Sequence, residues 1–376
     1  MNRIRIRLRV TGIVQGVGFR PFIHRLITTY GLSGRIRNTS AGVEGEIQGD
    51  RESVEGFLMA LRKEKPRLAY IEAVEKEEIP VETAEANFLI EESRFLEEST
   101  ALISPDIAIC PDCLKEMRNP TNRRYRYPFI NCTNCGPRFT IIRSVPYDRE
   151  RTTMASFAMC PECEAEYENI KDRRYHAQPN CCEVCGPKLY YIDTTESAEY
   201  RDLIWDYPGK NSSVKETQTD PMALAAKALK SGKILAIKGL GGYHLACRCD
   251  DPELALKLRQ RKHRDEKPFA IMCADVEEAE RFCKVSEAEK ELLEGHERPI
   301  VLLEKRDPRD MRHISENHRI GVMLPYTPVH ELLFDEELRS LIMTSANFSD
   351  CPILYKDEGA MEGLKGIADG FFDDES

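Results

Sequence analysis

Long apolar runs are missing from this chain of 376 residues. It has no stretch of about 18 consecutive apolar residues, which argues against a membrane-spanning helix. The N-terminus alternates arginine with isoleucine or leucine from Arg3 onward, so it also lacks the continuous apolar segment of a secretory signal peptide. We therefore expect a cytoplasmic protein that is not inserted into a membrane.

Acidic residues are absent from the first 43 positions, which contain eight arginines. Glutamate becomes frequent after Glu44, and the whole chain carries a formal net charge of −10. A protein this acidic is not expected to wrap nucleic acid as its main task. The arginine-rich N-terminal part is nevertheless expected to present a local surface that attracts anions.

The sequence does contain four Cys-x-x-Cys pairs, arranged as an internal repeat. A shift of 50 residues superimposes Cys110 on Cys160 and the Cys-Gly-Pro at Cys135 on that at Cys185. In each copy 18 residues separate the two pairs, and this spacing predicts one tetrahedral four-sulfur zinc site per copy. The predicted ligands are Cys110, Cys113, Cys132, Cys135, Cys160, Cys163, Cys182 and Cys185. Disulfides or a redox dithiol are disfavoured because the pairs occur without a secretory segment.

Four thiolates leave no open position for water on the metal, so both zinc ions are expected to be structural. We favour a sequential arrangement, in which each ion takes both pairs of one copy, over an exchange of pairs between copies. Cys181 breaks the spacing and is interpreted as a bystander, and His176 as a surface or packing residue. The basic and aromatic runs 123–127 and 173–176 either stack on nucleobases or, as we favour, pack around the metal sites.

The first 92 residues predict a ferredoxin-like fold with the order βαββαβ. Alternating apolar residues from Ile4 to Val10 indicate a strand, and apolar residues at helical spacing follow Pro21. Backbone N–H groups of the loop between them can converge on an anion, and Arg20 adds a planar fork suited to phosphate oxygens. The alternative is a tight turn without a ligand. The predicted phosphate-binding residues are Gln15, Gly16, Val17, Gly18 and Phe19.

The segment from residue 214 onward predicts an α/β domain. The cationic turn that contains Lys262, Arg264 and Lys267 precedes a buried strand and is well placed to bind phosphates. Ser345 and Asn347 follow another strand and supply short polar groups. The alternative for both motifs is an ordinary turn or a solvated run of charges.

Two of these segments resemble known enzyme families. The run Gly12-x-Val14-Gln15-Gly16-Val17-Gly18-Phe19-Arg20 with Gly34-x-x-x-Asn38 resembles acylphosphatases, which cleave carboxyl and carbamoyl phosphates; the resemblance implies catalytic roles for Arg20 and Asn38. The C-terminal motifs, with Leu324-Pro325-Tyr326-Thr327-Pro328, resemble the YrdC family, which makes acyl adenylates from ATP. This resemblance implies that Lys262, Arg264 and Lys267 bind phosphate or substrate and that Ser345 and Asn347 bind the nucleotide. Asp265 stands where that family often has proline.

The order of the segments is similar to that of the HypF carbamoyltransferases, which act in the maturation of nickel-iron hydrogenases. The resemblance implies an acylphosphatase-like domain at 1–92, a double zinc-finger domain at 105–193 and a YrdC-like domain at 214–376. It also implies hydrolysis of carbamoyl phosphate, formation of carbamoyl adenylate from ATP with magnesium, and transfer to the C-terminal cysteine of a HypE-like partner. Family members are longer and end in a kinase-like transfer domain. We therefore expect this chain to lack that domain and its YrdC-like domain to be incomplete at the C-terminus.

Two functions from other classes stay open. The first is an RNA-binding zinc protein, in which the arginine and tyrosine runs would contact the RNA. A salt-dependent affinity for RNA would support this alternative. The second is a scaffold or acylphosphatase whose remaining modules only dock maturation partners. An intact pair of Arg20 and Asn38 argues against a scaffold without any activity.

Overall fold

A computed structural model describes residues 3–83, 85, 87–95, 100–194, 220–264, 267–347 and 352–374. The chain divides into two compact units, residues 1–113 with 130–186 and residues 114–129 with 187–376. The composition of the polar stretch 194–220 predicts a passage between domains, and its residues 195–219 lie outside the described residues, as does Asp265. Within the described part of the chain, no helix is long and apolar enough to cross a membrane.

The first unit contains a five-stranded sheet with the order β4-β1-β3-β2-β5. Its elements are β1 (Arg3–Ile13), α1 (Phe19–Thr29), β2 (Ser33–Thr39), β3 (Gly42–Asp50), α2 (Arg51–Lys63), β4 (Tyr70–Ile79) and β5 (Phe88–Ile90). The strands pair antiparallel except for β2 with β5. This order confirms the predicted ferredoxin-like fold.

Alternation along β1 separates an apolar face from a charged one. Ile6, Leu8 and Val10 are buried in one apolar cluster with residues of α1 and α2. The other face carries arginines, and two of them, Arg5 and Arg7, are paired with glutamates, as are two arginines of β2. The closest N···O distances are 2.7 Å for Arg5 with Glu46, 3.2 Å for Arg7 with Glu77, 2.7 Å for Arg35 with Glu46 and 3.1 Å for Arg37 with Glu91. The prediction of an anion-attracting surface is therefore wrong for these four arginines, because the sheet register brings carboxylates beside them.

The cysteine repeat is also a repeat of backbone geometry. Short helices α3 (Pro111–Arg118) and α4 (Pro161–Glu168) begin directly after Cys110 and Cys160. In each copy a non-glycine residue then adopts a left-handed conformation, Arg126 with φ 56° and His176 with φ 54°. Each donates its N–H back to a carbonyl of the preceding helix, that of Met117 at 2.8 Å and that of Tyr167 at 3.0 Å. The two residues therefore occupy equivalent positions with different side chains.

The second unit is built on a nine-stranded sheet with the order β10-β11-β12-β9-β13-β8-β7-β14-β6. The strands are β6 (Leu189–Asp193), β7 (Leu235–Gly239), β8 (Gly242–Arg248), β9 (Ala270–Cys273), β10 (Cys283–Lys284), β11 (Val301–Lys305), β12 (Arg319–Met323), β13 (Ser340–Ser345) and β14 (Gly370–Asp374). The helices are α5 (Pro221–Lys230), α6 (Pro252–Lys262), α7 (Val276–Glu280), α8 (Glu287–Glu294), α9 (Pro328–Leu333) and α10 (Asp357–Gly363). Adjacent Phe371 and Phe372 belong to different buried clusters, so apolar side chains cover both faces of the sheet.

Candidate active site and metal centres

The loop between β1 and α1 turns sharply at two glycines. Gly16 and Gly18 have φ of 71° and 70°, a left-handed conformation that glycine adopts without a Cβ penalty. Gly18 is the N-cap of α1, and its carbonyl accepts the first helical hydrogen bond from the Phe22 N–H at 3.1 Å. The loop thus leads directly into a helix N-terminus, where unpaired N–H groups and the helix dipole favour an anion.

The other predicted loop residues hold this turn in place. The Gln15 side chain donates to the carbonyls of Thr39 at 2.7 Å and Gly42 at 2.8 Å and accepts from the Tyr147 N–H at 2.9 Å. Its amide is therefore fully engaged, which leaves its backbone for contact with a ligand. Val17 and Phe19 are buried in the core of the first unit, so their side chains anchor the loop and only their backbones can serve a phosphate.

Arg20 and Asn38 line one cavity with this loop. Arg20 is the second residue of α1 and is 9% exposed, and one of its terminal nitrogens lies 3.3 Å from a carboxylate oxygen of Asp148. Asn38 lies on β2 with 2% of its surface exposed, and its buried Oδ1 has no hydrogen-bond partner in the part of the chain that the structure describes. An unsatisfied buried amide oxygen costs free energy, so its place beside an arginine suits a bound water or substrate.

The remaining wall of the cavity comes from the cysteine-rich segment of the same unit. Its lining residues there are Thr133, Arg138, Tyr147, His176 and Gln178, and the cavity volume is about 20 Å³. Sequence reasoning missed these residues, since they are more than 100 positions from Arg20. One signal for His176 was available, because it replaces the arginine expected from the repeat at Arg126.

Arg138 links this wall to the glycine loop. It is 1% exposed, and its guanidinium donates to the carbonyls of Gly16, Pro137, Cys132 and Thr133. It makes no ion pair among the described residues, so its charge adds to that of Arg20 at the cavity. Burial raises the pKa of the neighbouring Tyr147 phenol to about 12, and that side chain is neutral at pH 7.

The eight cysteines form two groups, each made of both pairs of one copy, which confirms the sequential arrangement. Within each group the sulfur atoms all lie within 4.8 Å of one another. Neighbouring Sγ atoms are 3.5–3.9 Å apart in the first group and 3.7–3.9 Å apart in the second. A zinc ion about 2.3 Å from four sulfurs requires about 3.8 Å between them, so both groups fit a tetrahedral zinc ion. Cys181 stands outside the second group, as expected.

Several side chains of the arginine and tyrosine runs are buried against the protein and do not project into solvent. Arg124 and Arg174 are 1% and 4% exposed, and Arg174 donates to the Asn131 carbonyl at 3.2 Å. Tyr175 is also buried, whereas Tyr125 is 44% exposed. These contacts support the packing interpretation over a platform for stacking nucleobases.

The predicted nucleotide-binding residues of the second unit meet where α6 and β13 end. Lys262 is 3% exposed, and its Nζ donates to the Ser345 carbonyl and, at 3.4 Å, to Asn347 Oδ1. The Ser345 hydroxyl donates to the same Asn347 oxygen at 2.7 Å. Arg264 donates to the Thr344 hydroxyl at 2.8 Å and to the Lys267 carbonyl at 3.2 Å, while the Lys267 side chain is exposed.

Electrostatics make this cluster suited to an anion. Burial, followed by the charges of Arg264 and Lys267, lowers the pKa of Lys262 to about 8. Burial also lowers the pKa of Arg264, which lies 5.1 Å from the centre of the Phe269 ring. Among the described residues Lys262 donates to two neutral oxygens, of Ser345 and Asn347, so a phosphate would supply a negative charge to pair with its ammonium group.

Comparison with family profiles assigns most of the chain. Residues 6–90 match acylphosphatases. Residues 109–142 and 159–192 match the HypF finger, one match for each cysteine copy. Residues 227–376 match the Sua5/YciO/YrdC family, which carries the description telomere recombination.

Whole-chain comparisons point to one kind of protein. Carbamoyltransferase HypF2 of Cupriavidus necator is 44% identical over 98% of this chain, and the probable carbamoyltransferase HypF of Methanocaldococcus jannaschii is 44% identical over 98%. The alignments cover 46% of each relative, so the chain spans about half the length of the curated relatives it matches. A crystal structure of full-length HypF in the phosphate- and nucleotide-bound form has a TM-score of 0.90 and 42% identity, covering 100% of this chain and 47% of that one.

Proposed function

Because this chain belongs to the HypF carbamoyltransferase family, we propose that it hydrolyses carbamoyl phosphate and activates the resulting carbamate as an adenylate. The observation that carries the proposal is the cavity that holds Arg20, the unsatisfied amide oxygen of Asn38 and the left-handed glycines of the loop. Such a site offers a cation, converging N–H groups and an acceptor for water without any metal.

In the first step the phosphoryl group sits on the loop, with N–H groups and Arg20 bound to its oxygens. Asn38 Oδ1 accepts a hydrogen bond from a water molecule and holds it in line with the phosphorus. Water oxygen bonds to phosphorus as the bond from phosphorus to the carbamoyl oxygen breaks, and that oxygen leaves with the electron pair. The products are inorganic phosphate and carbamate. Arg20 and the loop stabilise the charge on the phosphoryl oxygens throughout.

In the second step a carbamate oxygen attacks the α-phosphorus of ATP and displaces pyrophosphate, which gives carbamoyl adenylate. We assign Lys262, Arg264 and Lys267 to the phosphates, and Ser345 and Asn347 to the rest of the nucleotide, with magnesium accompanying ATP. The polar contacts between Lys262 and Asn347 support this assignment, since they bring the two predicted motifs together. The phosphate and nucleotide named for the matched crystal structure support the same ligand classes.

The wider assignments follow from the same family membership. We propose three functional segments, at 1–92, 105–193 and 214–376, and two zinc ions that stabilise the middle one. Structural zinc supplies folding free energy to a segment with little apolar core. The carbamoyl group would pass to the C-terminal cysteine of a HypE-like partner. We place the activity in the cytoplasm, where thiolate clusters stay reduced.

Phosphate release from carbamoyl phosphate by the full chain tests the first step. Arg20→Ala should lose most of kcat/KM because it removes charge neutralisation of the phosphoryl group. Asn38→Ala should lower kcat more than it raises KM, because its partner is the attacking water. Unchanged kinetics in both variants would refute the assignment.

Pyrophosphate release from ATP tests the second step. It should occur only when carbamoyl phosphate is also supplied, and Arg20→Ala should abolish it because no carbamate is then made. Added bicarbonate and ammonia should partly restore release in that variant, since they form carbamate in solution. Release that ignores carbamoyl phosphate would contradict the second step alone.

A further inference from the structure

His176 is one of the residues of the cavity wall that the proposed mechanism does not use. It comes from the second cysteine copy and lines the cavity with Arg20 and Asn38. Its ring stacks on Tyr167, with centroids 5.1 Å apart and planes at 23°, and meets the edge of Tyr175 at 4.3 Å. Two aromatic neighbours therefore fix the imidazole in one orientation.

The backbone reinforces this placement. His176 holds a left-handed conformation, its N–H donates to the Tyr167 carbonyl at 3.0 Å, and its own carbonyl accepts from the Gln178 amide at 3.0 Å. The same backbone recurs at Arg126 in the first copy, where the side chain is exposed. The conformation is thus a property of the repeat, whereas a ring facing the cavity belongs to the second copy alone.

One ring nitrogen of His176, Nδ1, is buried and has no hydrogen-bond partner among the described residues. The same holds for Oδ1 of Asn38, which lines the same cavity. Two buried acceptor atoms without partners, on residues that line one cavity with Arg20, indicate a ligand that carries hydrogen-bond donors as well as phosphate oxygens. Burial, then the Arg20 charge, lowers the pKa of His176 to about 4, so the imidazole is neutral at pH 7 and keeps one lone pair.

We propose that His176 determines the specificity of this site by accepting a hydrogen bond from the amino group of carbamoyl phosphate at Nδ1. Arg20 and the loop bind the phosphoryl end, and Asn38 binds the water. The carbamoyl end then lies against the wall formed by the cysteine-rich segment. This role rests on the proposed hydrolysis of carbamoyl phosphate and adds to it the choice among acyl phosphates.

Acetyl phosphate is the informative comparison because it has a methyl group where carbamoyl phosphate has an amino group. The two substrates are nearly equal in shape, and their phosphoryl ends are the same. A site that accepts a hydrogen bond from the amino group leaves its acceptor unpaired when a methyl group takes that place. The wild-type chain is therefore expected to prefer carbamoyl phosphate, and the preference should depend on His176.

The test measures kcat/KM for both substrates in the full chain carrying His176→Phe, which keeps an aromatic ring and removes both nitrogens. The value for carbamoyl phosphate should fall about tenfold, while that for acetyl phosphate stays within about twofold. His176→Asn, a residue type that tolerates the left-handed backbone, should shift the ratio in the same direction if the phenylalanine variant folds poorly. Arg126→Ala is the matched control and should leave the ratio unchanged.

The outcomes separate the inference from the function on which it rests. Equal losses for both substrates, or no loss, in a variant with unchanged zinc content and melting temperature would overturn the role of His176. Failure of the wild-type chain to release phosphate from carbamoyl phosphate would overturn the proposed function, whatever the variants do. A fall in the carbamoyl-to-acetyl ratio confined to the His176 variants supports the proposal.

Discussion

Both terminal guanidinium nitrogens of Arg173 lie 3.2 Å from the sulfur of Cys113. Arg173 belongs to the second cysteine copy, whereas Cys113 belongs to the first group of four sulfurs. A guanidinium that donates twice to a thiolate neutralises part of the charge that four sulfurs place around a divalent ion. The first metal centre is thus completed by a residue from the other copy, although each copy supplies its own four ligands.

This contact predicts unequal effects on the two zinc ions. Arg173→Ala should weaken zinc binding at the first group by about tenfold or more, as is usual when a residue bonded to a ligand is lost. Competition with a chelator should then release one of two ions early. Lys171→Ala, which removes an exposed charge two residues away, serves as the control. Early release of both ions from the Arg173 variant, or of neither, would contradict the prediction.

Local signals were sufficient for much of the fold. The start of helix α5 is one such feature, because Asp220 accepts from the Met222 N–H at 3.0 Å and Pro221 occupies the first turn. Cys-x-x-Cys spacing likewise brings two thiolates together within a single turn of the chain, where both can bind one ion. Such features depend on residues close in sequence, so the sequence alone could reveal them.

Features that depend on contacts between residues far apart in sequence could not be predicted from the sequence. No local pattern shows that Asp148 meets Arg20 or that Arg138 holds the Gly16 carbonyl, since each pair is separated by more than 120 positions. The pairing of Arg5 with Glu46 required the register of β1 on β3. The wall of the candidate site was therefore missed, whereas its loop, arginine and asparagine were found.

Asp148 is predicted to compete with phosphate for Arg20. Its carboxylate lies 3.3 Å from the guanidinium, where it repels an incoming phosphate. Asp148→Asn should tighten inhibition by inorganic phosphate roughly fivefold, about 1 kcal/mol, since one nearby negative charge is removed. The inhibition constant measured during carbamoyl phosphate hydrolysis checks this. Glu150→Gln, which removes an exposed charge two residues away, should have little effect. Weaker phosphate inhibition in the Asp148 variant would instead show that Asp148 mainly orients Arg20.

A comparison of Gly16 with Gly31, which are both left-handed, separates the cost of backbone strain from the loss of phosphate binding. An alanine in the left-handed region costs about 1–2 kcal/mol at either Gly16 or Gly31, whose φ values are 71° and 60°. A Cβ at Gly16 would also meet Arg138 Cδ at 3.1 Å and Tyr147 at 3.3 Å, whereas one at Gly31 meets nothing within 4 Å. Both variants should therefore melt at lower temperature, but only Gly16→Ala should lose most phosphate release. Equal activity in the two variants would argue against the loop as the phosphate site.

Lys262 should give the proposed nucleotide site a pH dependence whose sign follows from its pKa of about 8. Below pH 8 the Lys262 ammonium is charged and attracts the phosphates of ATP. Above pH 8 Lys262 is mostly neutral in the free protein, so it must take up a proton before it can pair with the phosphates. The affinity for ATP should therefore fall as the pH rises from 8 to 9.5, by at most tenfold per unit. Calorimetry near pH 8 in buffers of different ionisation enthalpy should show proton uptake on binding. Lys262→Arg, which stays charged throughout this range, should bind ATP with little pH dependence. Proton release on binding, or the same pH profile in the arginine variant, would show that Lys262 does not face the phosphates.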